Sequence, residues 1–131
     1  MKKNKIPSKT ILIADDEPFI REILERSLKY NYRIVTACDG EEALEKAKKE
    51  KPDLIILDVD MPRMNGLEAA RRLKTADDAA YREIPIIMLT VKDNVNEVKE
   101  GAYAGADFYI PKPFNLKRLY EKIETLLEKK T

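Results

Sequence analysis

The chain has 131 residues, 44% hydrophobic and 37% charged, which suits one domain with its own core and excludes a disordered chain. Lys and Arg (25) nearly cancel Asp and Glu (24), so no global field favours nucleic acid or an anionic membrane. Histidine is absent and cysteine occurs once, at Cys38, which excludes imidazole chemistry, zinc sites and intrachain disulfides. Any chemistry falls to carboxylates, hydroxyls and lysines.

The basic start MKKNKIPSK is followed by only ILIA before two aspartates, too short for a signal-peptide core or a membrane span. With the single cysteine, this predicts a cytoplasmic protein. TILIA (10–14) reads as a first strand, and Ile20, Ile23, Leu24 and Leu28 mark a first helix. RIVTA (33–37) reads as a second strand, and Cys38 at its end is expected to be a small buried side chain. Asp39 with Glu42 three residues on approaches a capping box, opening a helix marked by Ala43, Leu44 and Ala47. Its tail KAKKEK (46–51) reads as a solvated face.

LIIL (54–57) is the third predicted strand, followed by a helix on Leu67, Ala70 and Leu73. TADDAAYREIP (75–85) is expected to be a loop, with Asp77 and Asp78 solvated at the edge where the fourth strand starts. That strand is PIIML (85–89). Asn94 and Glu97 open a weak fourth helix over 95–104, interrupted by Gly101 and ended by Gly105. DFYI (107–110) is the fifth strand, and Leu116, Leu119, Ile123, Leu126 and Leu127 mark the last helix. With no repeat and no low-complexity linker, 1–131 reads as a single domain with its core at about 9–129.

Short apolar strands alternating with helices imply an α/β fold, a parallel sheet with helices on both faces. Ligands of such sheets lie beyond the carboxyl ends of the strands. Those positions hold Asp15 and Asp16 after the first strand, Asp58 after the third, Thr90 after the fourth and Lys112 just past the fifth. Converging carboxylates repel one another unless a cation joins them, and an all-oxygen donor set points to magnesium. A carboxylate beside bound magnesium can attack phosphorus to give an aspartyl phosphate, with a lysine and a hydroxyl stabilising the phosphoryl oxygens. No glycine-rich phosphate loop indicates a nucleotide donor.

The residues ADDE (14–17), LIILDVDMPRMNG (54–66), LT (89–90) and GADFYIPKPF (105–114) resemble the receiver domain of two-component response regulators, in order and spacing, over 9–129. The resemblance implies a five-stranded flavodoxin-like sheet of order 2-1-3-4-5. It casts Asp58 as phosphoryl acceptor, Asp16 as direct magnesium ligand, Asp15 as a ligand through water, and the backbone carbonyl of Asp60 as a further ligand. Lys112 would pair with Asp58 and then with its phosphoryl group, Thr90 would donate its hydroxyl to that group, and Tyr109 would be the aromatic switch. The Lys112–Pro113 bond would be cis. The Asp60 side chain is read as a partly exposed acid that adds negative potential.

The same resemblance implies a phosphohistidine donor on a sensor histidine kinase or histidine phosphotransfer protein, since this chain has no histidine of its own. Signalling would run through the segment 95–104, the fifth strand and the last helix to a protein target or an output domain, with dimerisation on phosphorylation left open. Beyond taking and losing the phosphoryl group, the domain would not be an enzyme. After Thr90 the family usually has a small residue; here Val91 and Lys92 flank the opening and predict a long-lived phosphoform. Two other readings stand beside this one. A receiver-fold module could signal without phosphate. LDVDM also resembles the first motif of haloacid-dehalogenase-type phosphatases, although there the nucleophile follows the first strand and the acidic pair comes last.

Overall fold

Each strand is five or six residues of mostly branched apolar side chains, long enough to cross one sheet and no more. They are β1 (Thr10–Ala14), β2 (Arg33–Ala37), β3 (Leu54–Asp58), β4 (Ile86–Val91) and β5 (Phe108–Lys112). All pair in parallel in the order β2-β1-β3-β4-β5, the order expected by resemblance. The computed structural model describes residues 9–91 and 105–129. The helices are α1 (Pro18–Leu28), α2 (Gly40–Glu50), α3 (Gly66–Lys74), a single turn α4 (Ala79–Arg82) and α5 (Leu116–Lys129). The helix expected over 95–104 lies outside the described residues, as do Asn94 and Lys92.

Alternation along the strands divides the core in two. Leu12, Ala14, Ile55, Leu57, Ile86 and Met88 face α2 and α3, whereas Ile11, Ile13, Leu54, Ile56, Ile87 and Leu89 face α1 and α5. Every residue of β3 is buried, including its terminal aspartate, because this strand lies at the middle of the sheet with helices on both sides. Among the described residues no helix is long and apolar enough to cross a membrane.

Three sequence expectations change. The strands run further than their apolar runs: Asp58, Thr90 and Lys112 lie inside β3, β4 and β5, since parallel register pairs Asp58 with Leu89, Thr90 with Pro111 and Val91 with Lys112. Asp78 accepts the Ala80 amide at 2.9 Å and caps the one-turn α4, although it and Asp77 remain exposed. Cys38 is exposed, not buried. It stands one residue beyond β2, an edge strand, where the chain has turned toward α2 and the helix covers Ala37 instead.

The capping reading at α2 holds. Asp39 accepts the Glu42 amide at 2.8 Å, and Glu42 returns a bond to the Cys38 amide at 2.7 Å. Asn65 caps α3 in the same manner through the Glu68 amide. The start of α3 is pinned by Gly66, whose amide donates to the Val59 carbonyl at 2.9 Å. A Cβ here would lie 2.2 Å from the Asp58 carbonyl oxygen, so only glycine lets the loop close behind the strand end. Gly66→Ala is therefore expected to destabilise the fold by about 1–3 kcal/mol, the cost of forcing an atom into packed backbone. Urea unfolding of the two proteins checks it; equal midpoints would show that the loop relaxes freely.

Candidate functional site

Four of the five strands carry a polar residue at, next to or just past the same end, and the fold brings these residues together. Asp15 follows β1 directly. It is fully buried, its amide bonds to the Ala37 carbonyl at 3.1 Å, and its Oδ1 accepts the Glu17 amide at 2.9 Å. Arg21, one turn into α1, reaches back to donate to the Asp15 carbonyl at 2.6 Å. Asp16 points to the exposed side of the same turn. Asp58, 3% exposed, ends β3, and its Oδ1 accepts a long bond from the Asp60 amide at 3.4 Å.

Lys112 links these acids. Its Nζ lies 3.1 Å from Asp15 Oδ2, 3.2 Å from Asp58 Oδ1 and 3.4 Å from Glu17 Oε1. Burial and the Asp15 charge push the Asp58 carboxyl up to about 7, against the pull of Lys112. Asp15 is raised as well, chiefly by burial. Burial works against the Lys112 charge, but the two carboxylates outweigh it and push the ammonium up to about 12. The lysine stays charged while Asp58, its partner at the end of β3, is held near the balance point.

One oxygen bears on metal binding. Asp15 Oδ2 is buried and, despite its contact with Lys112, has no aligned hydrogen-bond donor among the described residues. Ligand oxygens of Asp15, Asp16 and Asp58 all lie within 4.8 Å of one another. The Asp60 carbonyl takes part in no hydrogen bond among the described residues, and its side chain is exposed. These are hard oxygen donors with residual negative charge, a set suited to a divalent cation of the magnesium type.

Thr90 is 3% exposed near the end of β4, and among the described residues its hydroxyl makes only a long bond, 3.5 Å, to the Val91 carbonyl. Tyr109, on β5 beside Met88, is half-buried against the α2/α3 side of the core. Its hydroxyl oxygen is shielded from solvent and has no hydrogen-bond partner among the described residues, and burial raises the phenol above its usual range. The peptide bond from Lys112 to Pro113 is cis, as the resemblance implied. Sequence reading missed the parts played by Glu17 and Arg21. A signal was present: Glu17 occupies the N-cap of α1, where Ser, Thr, Asp or Asn is favoured, and its side chain makes no capping bond.

The family model for the response regulator receiver domain matches residues 11–124. The response regulator MprA of Mycobacterium leprae is 46% identical over 120 residues, covering 91% of this chain and 51% of that protein. The chain thus spans about half the length of this curated relative. Among solved structures, the chemotaxis protein CheY4 of Vibrio cholerae superposes with a TM-score of 0.82 at 35% identity, covering 90% of this chain and 98% of that one. The receiver domain of sensor histidine kinase PA1611 from Pseudomonas aeruginosa, with a magnesium ion coordinated in its active-site cleft, reaches 0.83 at 26% identity, over 92% and 98%. Matching family and matching fold agree: this chain belongs to the receiver domains of two-component response regulators.

Proposed function

We propose that Asp58 accepts a phosphoryl group from a phosphohistidine on a sensor kinase or phosphotransfer protein, and that the change is relayed through Thr90 and Tyr109 to a partner or output domain. The observation that carries this reading is the single ammonium of Lys112 set against a buried Asp58 whose carboxyl is poised near neutrality. Asp15, Asp16, Asp58 and the Asp60 carbonyl would hold magnesium, whose contribution is to offset the charge of these acids and of the transferred group. A carboxylate oxygen of Asp58 attacks phosphorus, an O–P bond forms, and the P–N bond to the donor imidazole breaks. Lys112 stays charged and follows the negative charge outward from the carboxylate to the phosphoryl oxygens.

Thr90 is supported as the next participant by its weakly committed hydroxyl, which a phosphoryl oxygen would engage. Movement of Thr90 opens or closes space beside Tyr109, whose buried hydroxyl is unpartnered in the present state. A protein donor has somewhere to sit. A shallow apolar groove between α1 and α5 opens beside Lys112, lined in part by Ile20, Ile23, Val91 and Phe114, and Phe19 stands exposed nearby. The domain takes up and loses one phosphoryl group and acts on no substrate of its own. Cytoplasmic location follows from the donor it requires.

Incubation with magnesium and acetyl phosphate is expected to add one phosphoryl mass to the chain and none to Asp58→Asn. Uptake by the variant would move the acceptor elsewhere, and no uptake by either protein, with no magnesium-dependent binding of beryllofluoride, would favour a phosphate-independent module. Val91 is half exposed at the rim, next to Lys112 in the strand register, where its branched side chain narrows the approach of water. Val91→Ala is expected to speed dephosphorylation by roughly threefold or more, about 0.7 kcal/mol of barrier. An unchanged rate would remove steric shielding as the cause of a long-lived phosphoform.

The raised carboxyl also fixes a pH dependence. An acid whose folded value lies above its unfolded one binds more protons in the folded state, so its contribution is full below about 4 and is lost as pH rises through about 7. In metal-free buffer Asp58→Asn is therefore expected to raise the melting temperature more at pH 8 than at pH 4. A gap that does not grow with pH would mean that Asp58 ionises normally. Magnesium is expected to bind more weakly below pH 7, because the proton on Asp58 must leave first.

A further inference from the structure

The connection from β3 to α3 leaves the sheet at Asp58 and carries Asp60, and its outer half is fastened to the neighbouring connection between β2 and α2. The Gly40 amide donates to the Met64 carbonyl at 2.9 Å, and a Cβ on Gly40 would lie only 2.1 Å from that oxygen. The two connections therefore meet backbone to backbone. One residue earlier in each, side chains make a second fastening: Arg63 Nε donates to Asp39 Oδ2 at 3.0 Å. The Asp39 carboxylate is buried, 4% exposed, and its Oδ1 is already committed to the Glu42 amide that starts α2. The Glu42 amide and the Arg63 guanidinium together hold this carboxyl below its usual range.

Arg63 also adopts φ of 66°, a left-handed backbone that a residue other than glycine takes only when its surroundings enforce it. A strained backbone, a buried acid reaching across from another element and a direct backbone contact all converge on the turn that presents Asp60. Neither Asp39 nor Arg63 contacts Asp15, Asp16 or Asp58 among the described residues.

We propose that the Asp39–Arg63 pair is a clamp that sets the conformation of the Asp60 turn, so that these two positioning residues govern how tightly the acidic edge holds a divalent cation. The inference rests on the metal-binding reading given above. Its action is geometric, because the pair is electroneutral: removing both charges together leaves the field at the site about the same while the turn is released. Partners outside the coordination sphere commonly act on metal affinity in this way by fixing where the ligand atoms point.

The test is the doubly substituted chain Asp39→Asn with Arg63→Met. Asparagine keeps an acceptor for the Glu42 amide, and both methionine and arginine meet the same backbone constraint at position 63. Magnesium chloride titrated calorimetrically at 25 °C is expected to bind about tenfold more weakly to this variant than to the parent chain, with a deficit independent of ionic strength. Arg63→Lys, a change on a side chain 65% exposed that keeps a cation for Asp39, is expected to retain most of the affinity and covers the case in which the double variant folds poorly. A melting curve in EDTA separates the effects, since a purely structural pair would lower the melting temperature and leave magnesium affinity untouched. Affinity within twofold of the parent in the double variant overturns the clamp. A parent chain that binds no magnesium overturns the metal-site reading, and the clamp with it.

Discussion

Lys112 brings one positive charge into a corner where Asp15, Asp58 and Glu17 all lie within 3.4 Å of its ammonium. Without it, two buried carboxylates would face each other across the ends of β1 and β3 with only backbone amides, among the described residues, to offset their repulsion. With it, one ammonium serves several acids, which is too little to neutralise them and enough to keep the edge folded. The deficit appears as the raised Asp58 and Asp15 carboxyls. It leaves the edge with residual negative charge of the kind that suits a divalent cation, and in the proposed transfer the same lysine would reach the phosphoryl oxygens.

Such an edge is costly to stability, and the rest of the fold offsets that cost. The strand that carries Asp58 is buried along its whole length, and both faces of the sheet pack against helices through separate apolar clusters. The acids are thus held by a scaffold that does not depend on them. Gly66 lets the chain close tightly behind Asp58, and Arg21 and Glu17 fix the turn that carries Asp15. In the proposed reaction, rigid placement of this kind would let a weakly nucleophilic carboxylate meet a phosphoryl donor at low reorganisation cost.

The proposed relay from this corner would depend on groups with unfinished hydrogen bonding. Thr90 holds its hydroxyl on a long bond, and Tyr109 buries an unpartnered hydroxyl on the neighbouring strand. In the proposed switch both would adopt a second arrangement once a new acceptor forms at Asp58. Curated relatives such as MprA of Mycobacterium leprae are about twice the length that this chain spans, so the partner that reads the change belongs to the proposal rather than to the geometry.

Much of this was written in the sequence. Strict alternation of apolar strands with helical spacing fixed the class of fold, because side-chain period is a local property that burial selects directly. The acids, Thr90 and Lys112 were legible for a related reason: each stands at the end of an apolar run, and in a parallel sheet all such ends share one edge. The strand order came from resemblance, since pairing between distant strands leaves no local trace. Only the tertiary structure decided which oxygen meets the ammonium, that Glu17 turns from capping α1 to Lys112, that Cys38 is exposed, and that Arg63 reaches Asp39 across 24 residues. Those contacts join segments remote in sequence, and their energies arise from distance and burial, which exist only once the chain has folded.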